Sequence, residues 1–201
     1  MIYIYPKNNI CHYFINDEFV IRNNLYDKLC IYIDNIKYIR NLNYSFTMGN
    51  HIITLKFNKV IDDAFMMFYG CEKIINTDFS YFNTKIITNM GKMFYECKKL
   101  ENIDLSMFNN EKILYMDFLF YDCINLKNIN LSSVIYNNNY NIGYMFYNCK
   151  NLKNLDLSSI NSQIIQFMPW MFLGCDNIEN VKSNNIKIKK AFKIFNKYYK
   201  K

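Results

Sequence analysis

The stretch YMFYNCKNLKNLDLSSIN, residues 144–161, places a cysteine beside aromatic side chains and follows it with leucines at 152, 155 and 157. Its first half recurs along the chain. MFYGC (67–71), MFYEC (93–97), LFYDC (119–123), MFYNC (145–149) and MFLGC (171–175) end on Cys71, Cys97, Cys123, Cys149 and Cys175, an unbroken 26-residue period. One insertion or deletion would have broken that register. Its persistence through five units marks a stacked array in which each unit buries its apolar face only against its neighbours.

Two periodicities alternate inside a unit. Leu100, Ile103, Leu105 and Phe108 follow Cys97, and the same slots hold Leu126, Ile129, Leu131, Val134 and then Leu152, Leu155, Leu157, Ile160. Spacing of that kind predicts a short strand with alternate residues turned inward. Before each cysteine the rhythm changes: Met90, Met93, Phe94 and Cys97 stand at i, i+3, i+4 and i+7, the spacing of one helix face. Pro169 aligns with Gly91, Asp117 and Gly143, and proline is tolerated at the first helical position, so helices of about two turns are expected from those points. The expected fold class is α/β, a leucine-rich repeat solenoid with parallel strands on its concave side and short helices on its convex side.

Residues 1–60 lack the repeat. CIYIDNIKYI (30–39) alternates around Asp34-Asn35 and reads as a hairpin, and HIITLKFNKV (51–60) reads as a strand. A β-rich N-terminal cap over 1–60, an array of five repeats over 61–183 and a basic C-terminal cap over 184–201 therefore divide the chain. Apolar residues Ile188, Ala191, Phe192, Phe195 and Tyr199 fall at helical spacing in that last segment.

The chain has 201 residues, 51% of them hydrophobic, and a net charge of +7. Residues 182–201 hold eight lysines and no acid; subtracting those eight charges from +7 leaves the rest of the chain at −1. The basic character belongs to the tail, not the body. No apolar run approaches the roughly 18–20 residues of a membrane span, and no standard secretory signal opens the sequence. On those grounds the expected location is cytoplasmic.

The M-x-x-M-F-x-x-C-x-x-L-x-x-L-x-L-S pattern over about residues 61–183 resembles the BspA-type leucine-rich repeat family of bacterial and protist surface proteins, which includes mycoplasma lipoprotein repeats. The resemblance implies an interaction protein, with adhesion or recognition as its theme, and a place at the cell surface. That sits against the absence of a recognisable signal or anchor.

Candidate sites follow from what the repeat leaves outside. The cysteines lie 26 apart with no histidine nearby, unlike the close pairs of a metal site, so they read as small core residues, although bridges between adjacent units stay open. On a helix, position 92 would face away from the core. That column reads Met66, Lys92, Phe118, Tyr144, Trp170, and beside it runs Tyr69, Tyr95, Tyr121, Tyr147, Leu173. Phe118, Tyr144 and Trp170 are thus candidate partner-binding residues, with packing between neighbouring units as the plainer account.

On the strand side, the outward column Asp78, Asp104, Asn130, Asp156, Lys182 brings carboxylates to an inter-strand spacing that costs roughly 1 kcal/mol of repulsion in water. Asp78, Asp104 and Asp156 are the second candidate set, awaiting a basic partner group or relieved by serine hydroxyls and water. Nothing assembles a catalytic set, a cofactor or a metal site, and no small-molecule substrate is expected. His12 and His51 lie outside the array. The function expected is non-enzymatic protein binding; the alternative is contact of the lysine tail with an anionic membrane or nucleic acid, which would be strongly salt-dependent.

Overall fold

A computed structural model describes residues 2–4, 15–38, 49–109, 111–134, 142–160 and 169–200. The first end is a five-stranded antiparallel sheet built from β1 (Ile2–Ile4), β2 (Leu29–Ile33), β3 (Ile36–Tyr38), β4 (His51–Phe57) and β5 (Ile74–Thr77), in the order β3-β2-β4-β1-β5. The Asp34-Asn35 hairpin forms as expected, with both residues at positive φ (50° and 69°). Two successive residues of that kind give the connection that matches strand twist. The Asp34 carboxylate accepts from the Ile52 amide at 2.9 Å and meets His51 Nδ1 at 2.6 Å.

One helix at this end goes beyond the expected β-rich cap. In α1 (Asp17–Arg22) the Asn16 side chain caps the free amides of Glu18 and Phe19, and Asp17 and Glu18 occupy the positive first turn. Asn16 also donates to the carbonyls of Met67 and Tyr69, tying α1 to the first unit. The sheet crosses residue 60, because β5 belongs to the first repeat and pairs with β1.

Beyond β5 each unit contributes one short strand: β6 (Asn102–Asp104), β7 (Asn128–Asn130), β8 (Asn154–Asp156) and β9 (Asn180–Lys182). β6 pairs with β7 and β8 with β9, parallel, each residue opposite its equivalent in the next unit. Ile103, Leu105, Leu131, Leu155 and Leu157 turn inward and are buried. The last described element, α2 (Ile186–Tyr198), buries Ile188, Ala191 and Phe195 and packs Phe192 and Phe195 against Phe172. It closes the far end as the apolar spacing of the tail predicts.

The segments before each cysteine are not the expected α-helices. Among the described units they are pairs of tight turns, with a 3-10 turn at Pro169–Phe172 in the last. Met66, Lys92, Phe118 and Tyr144 take positive φ, and so do Gly70, Glu96, Asp122, Asn148 and Gly174 at the close of the second turn. A left-handed residue ends any right-handed helix. The amides that a helix would direct to i−4 instead reach the next unit: Phe68, Phe94, Phe120 and Phe146 donate to the carbonyls of Met93, Leu119, Met145 and Met171 at 2.9–3.2 Å. The i, i+3, i+4, i+7 pattern misleads because two turns in series also bury Met90, Met93, Phe94 and Cys97 together.

Inside the stack, Phe68, Phe94, Phe120, Phe146 and Phe172 form a continuous ring column with centroids 5.4–6.4 Å apart. Met90, Met93, Met116, Met145 and Met171 are buried beside it. Met168, which holds the slot of Met90 in the last unit, lies outside the described residues, as does His12.

Candidate functional site

The two candidate sets occupy different places. Phe118 and Tyr144 stand at equivalent left-handed turn positions with φ of 54° and 58°, so their side chains leave the turn at the same angle. Their rings lie parallel within 1°, centroids 5.2 Å apart, and both are half-buried. Trp170 is 41% exposed and packs on Tyr199, just beyond α2. Lys92 interrupts the column on the other side, its ammonium 5.6 Å from the Phe118 ring centre, a cation-π distance.

Alongside runs the tyrosine row. Tyr69, Tyr95, Tyr121 and Tyr147 stack face to face at 4.7, 4.6 and 4.5 Å, each pair within 8° of parallel. The spacing is that of neighbouring strands, so the backbone ladder sets the ring separation. Stacking consumes the ring faces between units and leaves all four tyrosines half-buried. Burial against the row, with further contributions from neighbouring tyrosines and Asp122, pushes the Tyr121 phenol up to about 12. Phe118 and Tyr144 each tilt at about 50° onto the adjacent tyrosine, which welds the two rows into one aromatic surface.

The aspartates end the strands. Asp78, Asp104 and Asp156, and Asn130 in the unit between, each accept the amide of the serine two positions on at 2.8–3.1 Å. This turn is a local alternative to the ladder and terminates the strand. Bonds from Ser80 hold the Asp78 carboxyl below its usual range. Partial burial works against ionisation of Asp104, but Ser106 and Asn130 outweigh it and hold that carboxyl low as well. Bonding from Ser158 and the Lys182 ammonium push Asp156 down to about 2. Lys182 meets Asp156 at 2.9 Å from the equivalent position of the next unit, so one rung of the carboxylate column is neutralised within the chain. Asp78 and Asp104 line an open groove of about 490 Å³ with Asn76, Asn102 and Asn128; Asp156 does not reach it.

Similar pairs recur wherever the register superposes polar residues. Lys127 meets Glu101 at 2.9 Å, Asn128 meets Asn102 at 2.7 Å and Asn180 meets Asn154 at 3.0 Å. Sequence reading missed these ladders, although the same offset that aligned the cysteines would have found them. It also missed the role of the thiols. Cys97, Cys123, Cys149 and Cys175 donate through Sγ to the carbonyls of Phe68, Phe94, Phe120 and Phe146 at 2.9–3.1 Å. Burial pushes all four thiols up, to about 12 for Cys175. No three His, Cys, Asp or Glu side chains among the described residues gather as metal ligands, and no described helix is long and apolar enough to cross a membrane.

Stacked turns in one fixed register, closed by a sheet and α1 at one end and by α2 at the other, define a repeat protein. Within that class the chain belongs to the family described as Mycoplasma protein of unknown function, DUF285, whose model matches residues 62–185. That family is related to the BspA-like repeat proteins. No curated protein and no solved structure matches the chain.

Proposed function

We propose that this protein is a non-enzymatic protein-binding scaffold, a leucine-rich repeat solenoid whose outward aromatic surface takes the partner. The observation that carries the reading is the half-exposed Phe118–Tyr144 stack fused to the tyrosine row. Aromatic rings held rigidly by the backbone ladder lose little conformational freedom on contact, and such residues dominate the energetics of protein interfaces. The aspartate column is the weaker candidate, since its carboxylates are already used to end strands and one is paired to Lys182. The relation to BspA-like proteins favours adhesion or recognition at a cell surface.

The test is a double variant, Tyr144→Ser with Trp170→Ser, compared with the unaltered protein in affinity capture from the native cell. The double variant should melt cooperatively and lose the captured protein. Retention of the same partner at the same yield would sink the reading. A second reading, contact of α2 with an anionic surface, rests on the exposed Lys189, Lys193 and Lys197, whereas the apolar face of that helix is already spent on Phe172.

A further inference from the structure

Tyr69, Tyr95, Tyr121 and Tyr147 hold one position of four successive units, and the register lays them ring on ring at 4.7, 4.6 and 4.5 Å. Equivalent side chains displaced by one ladder step bring each ortho carbon opposite its counterpart at about the same distance. Packing alone does not require the phenol. Leu173 fills the slot in the last unit, and the adjoining column carries Met66, Lys92, Phe118, Tyr144 and Trp170 in turn. What distinguishes four tyrosines in contact is the ease with which a phenol gives up an electron.

Two further features favour that chemistry here. Burial first, then neighbouring tyrosines and nearby carboxylates, hold the Tyr95 and Tyr121 phenols protonated, with Asp122 acting on both and Glu96 on Tyr95. Negative charge that opposes a phenolate favours a ring that has lost an electron, and it attracts the proton such a ring sheds. The competing reductants are withdrawn. Cys97, Cys123, Cys149 and Cys175 are buried with their thiols pushed up, so they lack the thiolate through which cysteine reacts, and Met90, Met93, Met116 and Met145 are buried as well. The four tyrosines, only half-buried, are the oxidisable groups nearest solvent along this face of the repeats.

We propose that the tyrosine row is a site of oxidative modification, which takes one-electron oxidants such as the radicals and ferryl species formed from peroxide and closes dityrosine bonds between adjacent units. Each of two neighbouring phenols loses one electron to an oxidant equivalent and its hydroxyl proton to solvent or a carboxylate. Ring contact lets the first radical exchange along the row until a second forms beside it. The two ortho carbons then join, and each ortho hydrogen moves as a proton to its own oxygen, restoring both aromatic rings. Two phenols have given up two electrons and two protons. The new bond closes a loop between residues 26 apart and so constrains the unfolded chain, as a disulfide there would. This covalent link between units is one that the buried, protonated thiols are not placed to make. The inference does not depend on the partner-binding reading.

The probe is brief illumination of the dilute full chain with a ruthenium tris-bipyridyl complex and persulfate, followed by peptide mapping. Products lighter by two hydrogens should link Tyr69 to Tyr95, Tyr95 to Tyr121 and Tyr121 to Tyr147 within one chain. Tyr26, Tyr81 and Tyr198, exposed by 64%, 98% and 64%, should stay largely unlinked. Tyr121→Phe keeps a ring in the stack and leaves one adjacent tyrosine pair of three, so intramolecular dityrosine should fall about threefold with an unchanged melting curve. Tyr81→Phe should change nothing. In urea the parent should scatter its links over the exposed tyrosines. Links that favour Tyr26, Tyr81 or Tyr198 in the folded chain, links between chains that rise with protein concentration, or a pattern unaltered by urea would overturn the proposal. So would oxidation that stops at Trp170 and the methionines without dityrosine. Tyr144→Ser with Trp170→Ser should still form all three links, which separates failure here from failure of the aromatic surface as a partner site.

Discussion

At Cys149 the choice of residue is explained by two requirements that few side chains meet together. The site is fully buried against Phe120 and Phe146, so it excludes a bulky or strongly polar group. The Phe120 carbonyl accepts the Cys123 amide within its own unit at 3.2 Å, and its second lone pair faces the next unit, where Cys149 Sγ donates at 3.1 Å. A thiol is small, apolar and a weak donor. Cys149→Ala is expected to cost about 1–3 kcal/mol, combining a small cavity with the lost bond. Cys149→Val keeps apolar volume and removes the donor, so it isolates the hydrogen bond at about 1 kcal/mol or less. Denaturant midpoints of the two variants decide between donor and filler: a valine variant as stable as the parent would reduce the cysteine to packing alone.

At the level of the repeating element, the register is legible in the sequence and the backbone is not. Identical spacing tells which residues stack, because a fixed translation along the chain needs no knowledge of φ and ψ. The inward Ile103 of β6 and Leu155 of β8 and the buried methionines follow from it. The turn conformation stays hidden because Lys92, Phe118 and Tyr144 carry positive φ at positions where glycine or asparagine would have announced it. The cost of that conformation is met by bonds between units, which a single unit's sequence does not display. α1 escapes notice for a related reason: so short a helix carries little periodicity, and only the Asn16 cap with Asp17 and Glu18 marks it.

The aspartates at the strand ends look free in the sequence, yet the following serine amide already uses them. That arrangement has a pH signature. Asp78, Asp104 and Asp156 all have folded-state values below their ordinary ones, so their stabilisation is complete above the unfolded carboxylate range and is lost as pH falls through the folded values, from near pH 4 toward about 2 for Asp156. Asp156→Asn keeps the turn, as Asn130 does in its own unit, and removes the titration. Urea midpoints measured across that window should fall less steeply for the variant than for the parent; parallel curves would mean that the carboxylate contributes nothing to acid stability. Solvent exposure of the Asp156–Lys182 pair keeps the difference small.

Over the whole molecule, stability depends on how the two ends are closed, since each interior unit makes its contacts only with its neighbours. One end is covered by α1 and the antiparallel sheet. The other depends on α2, which covers Phe172 with Phe192 and Phe195 and buries Ile188 and Ala191 beside them. Burying Ile188 and Phe195 is worth about 1.5–3 kcal/mol each, a large part of the roughly 5–15 kcal/mol that holds a typical domain together. Removal of residues 186–201 is therefore expected to lower the melting temperature sharply or to drive self-association through the uncovered Phe172 face, read by calorimetry and by size-exclusion chromatography. Charge and packing separate in a second variant. Lys189, Lys193 and Lys197 changed together to glutamine leave the apolar face untouched and should melt with the parent. A truncated chain that stays monomeric with an unaltered melt would show that the repeats close without the helix, and the basic tail would then have to be explained by its charge.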